Sequence, residues 1–170
     1  MAANFISKIS SGIFSFTIPC FFLLACGNNE SSQQKAEEPV APPQANVAIT
    51  KIDDAAVNTE QKATVGQRVS VEGIISDPNA IVCVLVHPMT TDTWWVQNPP
   101  SPPTQIDENT WRWRTMVYCG TETLGLNEDF EIVVLAEGKR AVCQKGKQIK
   151  GDEFPNELPR SEIITVFRGR

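Results

Sequence analysis

Residues that could perform catalytic chemistry are few in this chain and lie far apart. His87 is the only histidine, so there is no second histidine for a relay or a metal cluster. Cys83, Cys119 and Cys143 have no CxxC spacing, and no serine stands in a G-x-S-x-G setting. The acidic run 128–131 lacks the spacing of a calcium loop. The sequence therefore predicts a protein that is not an enzyme and has no metal or cofactor, with His87 bonded locally at a strand end.

The remaining functional candidate is a pair of adjacent tryptophans. Trp94 and Trp95 lie on a predicted strand, where neighbouring side chains point to opposite faces. One can enter the core, while the other is exposed or covered by the proline-rich loop 98–103. An exposed tryptophan near prolines and the outward-facing Arg112 and Arg114 could stack on sugar rings or on a proline-rich peptide. These four residues are the candidate ligand-binding set, with ordinary core packing of the tryptophans as the alternative.

The first 25 residues have the layout of an export signal. Lys8 supplies one positive charge, and an apolar stretch follows from about residue 12 to residue 25. This stretch is shorter than the roughly 20 residues needed to cross a bilayer, and Pro19 interrupts it. A permanent transmembrane anchor is therefore the weaker interpretation.

The leader ends in Leu23-Leu24-Ala25-Cys26, which resembles the lipobox of bacterial lipoprotein precursors. The resemblance implies cleavage before Cys26, a diacylglyceryl thioether on its sulfur and a fatty acid such as palmitate on the new N-terminus. Two or three such chains together make a stable membrane anchor. Gly27 stands where an aspartate would favour the inner membrane, so the expected location is the outer membrane if the organism is Gram-negative. An ordinary secretory peptide is the alternative.

Composition separates a linker from a folded domain. Residues 26–46 are rich in Ser, Gln, Glu, Pro and Ala, which predicts a lipidated flexible linker. Residues 47–170 are long enough for one domain with its own core. The net charge of −5 makes nucleic acid and direct adhesion to anionic lipid poor candidates as partners.

The domain alternates apolar and polar residues with a period of two, whereas helical periodicity is weak. Trp111 and Trp113 share one face of a strand and are expected in the core. The pattern gives about seven short strands, so the predicted fold is all-β, an immunoglobulin-like β-sandwich, with a small barrel as the alternative. The predicted strands lie at residues 47–52, 69–75, 81–86, 93–97, 111–119, 130–136 and 161–168.

Several strand segments also resemble a module found in bacterial surface and exported proteins. They are the run Val65-Gly-x-x-Val-x-Val-x-Gly73, the strand ending in His87-Pro88, Trp95-Val96-Gln97, and segments 113–120 and 130–136. The resemblance covers most of residues 65–170. Because these are packing and turn positions, it implies the fold and brings no catalytic residues.

The three cysteines of the domain permit one disulfide and one free thiol in an oxidising envelope. Immunoglobulin strand order would put Cys83, at the start of the third strand, and Cys143, after the sixth, at the same end of the sandwich. Cys119, at the end of the fifth strand, would lie at the opposite end. Cys83–Cys143 is therefore the preferred bridge.

Together these features predict a lipid-anchored cell-envelope protein whose non-catalytic sandwich is a binding or assembly module. Its expected partners are the membrane, through the anchor, and a glycan, peptidoglycan or another envelope protein. The alternative is a structural accessory subunit that uses a sheet edge or loop 139–160, while an envelope hydrolase has no candidate site. That loop places basic residues before acidic ones: Lys139, Arg140, Lys145, Lys147 and Lys150, then Asp152, Glu153 and Glu157.

Overall fold

The computed structural model describes residues 45–58, 60–137 and 142–169, all within one compact unit that spans residues 41–170. The predicted leader, the lipidation site Cys26 and the linker up to residue 44 lie outside the described residues, as do Lys139 and Arg140. The helical structure in the described part of the chain is a single 3₁₀ turn, Gly151–Glu153. None of it is long and apolar enough to span a membrane.

Eleven strands are present among the described residues, and all seven predicted strands are among them. In chain order they are β1 Val47–Ile52, β2 Ala55–Ala56, β3 Ala63–Val65, β4 Arg68–Ile75, β5 Ile81–Pro88, β6 Thr93–Val96, β7 Thr104–Asp107, β8 Thr110–Tyr118, β9 Glu128–Glu137, β10 Gln148–Lys150 and β11 Ile164–Arg168. The four that the sequence did not predict, β2, β3, β7 and β10, have two to four residues each. Segments this short are too brief for a period of two to be recognised.

The strands form two sheets in the order of an immunoglobulin sandwich. The first sheet runs β2-β1-β4-β8-β7, and the second runs β10-β6-β5-β9-β11-β3. Strands β1, β4, β8 and β7 take the immunoglobulin positions A, B, E and D, while β6, β5, β9 and β11 take C′, C, F and G. The predicted fold class is therefore confirmed, with more strands than the seven expected.

The main core lies between the two sheets and is built from their inward-facing side chains. Trp113 is the largest fully buried side chain, and its indole N–H donates to the Ile74 carbonyl at 3.2 Å. Its ring lies against Gly73, where a Cβ would overlap both the indole and the Ala48 carbonyl oxygen. Trp111 packs against the same core while partly buried, so both tryptophans take the predicted core role.

A second apolar cluster lies on the outer face of the second sheet, because β5 and β9 carry apolar residues on both faces. The segment 142–158 covers this cluster, and β10 within it pairs with β6. The disulfide Cys83–Cys143, with Cα atoms 5.3 Å apart, fastens the segment to β5. It is the pair that the sequence analysis preferred. The cluster contains Cys83, Leu85, Trp94, Val96, Val133, Leu135 and Ile149, with Val142, Cys143, Phe154 and Leu158 packed on it.

The fold begins slightly before the predicted end of the linker at residue 46. The Asn46 N–H donates to Ser76 Oγ at 2.9 Å, and the Ser76 N–H donates to the Asn46 carbonyl at 3.0 Å. Ala45 packs against the main core. These contacts extend the antiparallel pairing of β1 with β4, which polar composition alone does not reveal.

Candidate functional site

An apolar groove opens at the end of the sandwich where β5 and β8 finish and β9 begins. Its volume is about 440 Å³. Val86 and Phe130, both part of the main core, form its floor, and Trp95, Tyr118 and Leu124 form its sides. We call this surface the Trp95 groove. The other side chains that line it are mostly small or polar: Pro88, Thr90, Thr91, Gln97, Thr121 and Glu128.

The position of Trp95 follows from its pairing across β5 and β6. Trp95 lies directly opposite Val86, and residues paired in this way share a face of the sheet. Val86 points into the main core, so Trp95 also faces inward, yet 39% of it remains exposed. The first sheet therefore does not cover β6 at this point, and a large aromatic ring is left at the open edge of the core.

Gln97 joins the two sides of the groove. Its Nε2 donates to the carbonyl of Trp95 at 3.1 Å, and its Oε1 accepts the N–H of Tyr118 at 2.9 Å. Trp95 belongs to the second sheet and Tyr118 to the first. The side-chain amide thus holds the two aromatic residues on opposite sides of one opening.

The loop between β8 and β9 supplies the third side of the groove, and Arg168 holds it in place. The guanidinium is buried, with Arg168 only 4% exposed, and its Nη1 donates to the carbonyls of Cys119 at 2.9 Å and of Thr121 at 2.6 Å. The same Nη1 also donates to the carbonyl of Leu124. Gly120 has φ +80°, and a Cβ there would overlap the Leu124 carbonyl and approach the guanidinium. The loop is thereby closed tightly around one cation, which leaves the Leu124 side chain 67% exposed at the groove.

Trp94 lies away from the groove. It is 7% exposed on the outer face of the second sheet, in the second apolar cluster. Its ring stacks on His87 at 4.7 Å between centroids and meets Phe154 at 5.0 Å. The predicted opposition of the two tryptophans is present, but the buried one packs beneath segment 142–158 and not between the sheets.

Arg112 and Arg114 lie on the outer face of the first sheet and do not join the tryptophans. Arg112 Nε is 3.6 Å from a Glu72 carboxylate oxygen. Arg114 donates to Asp54 at 3.0 Å and to Ser70 Oγ at 2.9 Å. The four candidate residues therefore do not form one surface, since the tryptophans lie on β6 of the second sheet and the arginines on the outer face of the first. Strand alternation places the arginines on an outward face of their strand. It does not show that this strand belongs to the first sheet, whereas Trp95 belongs to the second.

His87 makes the local bonds that the sequence analysis expected. Its Nε2 lies 2.7 Å from the Thr91 carbonyl, which can only accept, so Nε2 carries a hydrogen. Its Nδ1 lies 2.9 Å from a Glu131 carboxylate oxygen. Both ring nitrogens are thus engaged within the turn after β5 and with the neighbouring strand. Within the described ranges, no group of three potential metal-ligating side chains is found.

The free thiol of Cys119 is buried at the start of the loop that Arg168 holds. Burial raises the pKa of this thiol to about 12, against an opposing effect of the Arg168 charge and a smaller raising effect of Asp53. A nucleophilic cysteine needs a thiolate near neutral pH. This cysteine therefore serves as an apolar core residue.

Sequence reasoning missed three contributors to the groove: Tyr118, Gln97 and Leu124. Tyr118 lies on the same strand face as Arg112 and Arg114, which alternation assigns to the outside. Gln97 and Leu124 lie at or beyond strand ends, where alternation says nothing about which sheets meet. The available signal was the presence of large apolar residues at turn positions, Leu124 and Leu126 among them, which are exposed in the structure.

No protein-family model matches this chain, and no curated protein sequence matches it.

Proposed function

We propose that this protein is a lipid-anchored component of a bacterial cell envelope whose β-sandwich binds a protein of that envelope through the Trp95 groove. One observation carries the binding part of the proposal. Trp95 faces inward above Val86 and Phe130 and is still 39% exposed. An exposed tryptophan in a concave apolar setting is typical of the anchor points of protein interfaces.

The lining favours a protein over a glycan. Sugar hydroxyls need several free polar groups, but both atoms of the Gln97 amide already bond to the groove's own backbone. The hydroxyls of Thr90, Thr91 and Thr121 also form hydrogen bonds within the chain. The floor and sides of the groove are aliphatic or aromatic and reach down to core residues. Such a groove suits the apolar side chains of a polypeptide, whose burial supplies most of the binding free energy.

The envelope part of the proposal is supported by the lipobox-like sequence that ends in Cys26. The first strand begins at Val47, which pairs with Ile75 at one end of the first sheet. Tyr118 and the groove lie at the other end of that sheet, where Tyr118 pairs with Arg68. The point at which the linker joins the domain is thus separate from the mouth of the groove.

Formaldehyde cross-linking in native cells tests the proposal. The full chain should form adducts with an envelope protein, a second copy of itself included, and Trp95→Ala should remove them. Ile163→Ala is a matched control, because Ile163 is 42% exposed and precedes β11, on the far side of the second sheet from β6. Adducts that survive Trp95→Ala would contradict the proposal. Binding of the domain to isolated peptidoglycan that is lost only when its glycan strands are digested would also contradict it.

A further inference from the structure

The loop between β6 and β7 has a backbone conformation that its sequence dictates. Residues 98–103 read Asn-Pro-Pro-Ser-Pro-Pro. Each proline fixes its own φ near −65°, and each residue that precedes a proline is held in the extended or polyproline II region. Those two restrictions leave only the ψ angles of Pro100 and Pro103 unconstrained. In the structure the segment is neither helix, strand nor turn, as a polyproline II stretch should be.

Two hydrogen bonds fix this loop along the edge of β8. The Ser101 N–H donates to the Arg114 carbonyl at 3.1 Å, and Thr115 Oγ1 donates to the Asn98 carbonyl at 3.2 Å. The loop is therefore already ordered before any partner arrives, which lowers the conformational entropy that binding would cost.

The prolines alternate in exposure with the period of a polyproline II helix. Pro99 and Pro102 are exposed, whereas Pro100 and Pro103 are half-buried. Since this helix has three residues per turn, Pro99 and Pro102 lie on one outward face. We call this face the proline ridge. A P-x-x-P ridge of this kind is what aromatic-lined grooves recognise.

The ridge and the Trp95 groove adjoin on one edge of the molecule. Gln97 lines the Trp95 groove and also borders a second depression that Pro99 helps to line. Two copies related by a two-fold axis along this edge can therefore place each ridge in the other's groove. Such an interface is closed, so it yields a dimer and not a filament.

We propose that the Trp95 groove binds the proline ridge of a second copy of this chain, so that the protein forms a two-fold dimer through its β6–β8 edge. The inference rests on the proposed function, because it names the occupant of the same groove. Charge supports it. The stretch 98–106 contains no charged residue in a chain of net charge −5, and among the described residues that line the groove only Glu128 is charged. Two acidic copies can thus meet here without bringing many like charges together.

The expected affinity is weak in free solution, on the order of 0.1 mM, because ridge and groove form a small contact. Anchoring of both copies at one membrane raises their effective concentration, so that weak pairing becomes significant there.

Sedimentation of the full chain in detergent, over concentrations up to about 1 mM, tests the proposal. The unaltered chain should show a monomer–dimer equilibrium. Trp95→Ala, which damages the groove, and the double variant Pro99→Ser with Pro102→Ser, which damages the ridge, should each weaken dimerisation at least tenfold. Ile163→Ala should dimerise as the unaltered chain does. A mixture of the groove and ridge variants should form mixed dimers more readily than either variant pairs with itself, because one ridge and one groove remain intact.

Three results would overturn the dimer. They are an unaltered chain that stays monomeric, a ridge variant that dimerises normally, and assemblies that grow beyond two copies. If the ridge variant keeps the cellular adducts with a different protein while Trp95→Ala loses them, the dimer is refuted and the proposed function stands. If Trp95→Ala leaves those adducts unchanged, the proposed function itself fails.

Discussion

Trp95 is an inward-facing aromatic residue of the second sheet that is left 39% exposed, while its neighbour Trp94 is 7% exposed. The two residues differ only in the face of β6 that they occupy. Sequence alone established that they must differ, since adjacent strand residues point apart. It could not establish which face would be covered, because that depends on how far the first sheet extends and on where segment 142–158 lies.

Alanine substitutions should separate the two tryptophans. Trp94→Ala should lower the free energy of unfolding by about 3–5 kcal/mol, because it leaves a large cavity beneath segment 142–158. Trp95→Ala should cost about 1–2 kcal/mol, because much of the ring already contacts solvent. Urea unfolding monitored by circular dichroism measures both. Equal destabilisation would show that Trp95 is as enclosed as Trp94, and the groove would lose its main wall.

The Cys119 thiol gives a test of burial beside the groove. Its pKa is raised from 9.0 to about 12, chiefly by burial. The folded chain thus keeps this proton where the unfolded chain releases it. The thiol's contribution to stability is full below about pH 9 and is lost as pH rises toward 12. At pH 8 the thiolate fraction of the folded chain should be about a thousandfold smaller than that of an ordinary cysteine.

Iodoacetamide labelling at pH 8, followed by peptide mapping, checks this expectation. Cys119 should remain unlabelled in the folded chain and react fully in urea. Rapid labelling of the folded chain would mean that the β8–β9 loop opens far more often than its contacts with Arg168 indicate.

The β8–β9 loop depends on a residue from the far end of the sequence. Arg168 is the last residue of β11, and its Nη1 binds three carbonyls of the loop. Arg168→Met should leave those carbonyls without their donor and lower stability by about 2–4 kcal/mol. Hydrogen exchange of residues 119–125 should rise more than that of the central strands. Arg160→Met is the control, since Arg160 is exposed and bonds Asn156; a similar loss in both variants would contradict a specific role for Arg168.

Segment 142–158 is held to the second sheet by apolar contacts and by the disulfide Cys83–Cys143, which spans 60 positions of sequence. Replacing both cysteines with alanine should lower the free energy of unfolding by about 2–4 kcal/mol. A reducing agent should lower the stability of the unaltered chain by a similar amount and leave the double variant unchanged. If reduction destabilises both proteins equally, the disulfide is not the source of the effect.

Elements were predicted well where alternation was long and poorly where it was short. The seven strands with sustained patterns were all found, and the bridge between Cys83 and Cys143 followed from their order. The edge strands β2, β3, β7 and β10 were missed, because two to four residues carry no period. The prediction of the candidate site was limited in the same way. Arg112 and Arg114 were correctly assigned to an outward face, but only the pairing of sheets shows that they lie beside Glu72 and Asp54 and away from Trp95.

On the scale of the whole molecule, attachment to the envelope stays a prediction from Leu23-Leu24-Ala25-Cys26. Growth with labelled palmitate should label the native chain, and Cys26→Ala should abolish both the label and membrane retention. Cys20→Ala is the control, because Pro19 precedes Cys20 where a lipobox requires a small residue. Label that persists in the Cys26 variant would contradict the lipid anchor. That result would not bear on the binding surface of the domain.

Occupation of the Trp95 groove by a protein in the cell is the central prediction, and site-specific photo-cross-linking measures it directly. A photoreactive residue at position 124, on the groove rim, should capture an envelope protein or a second copy, whereas one at position 112, on the outer face of the first sheet, should not. Trp95→Ala should abolish capture from position 124. Equal capture from both positions, or none from position 124, would contradict the account.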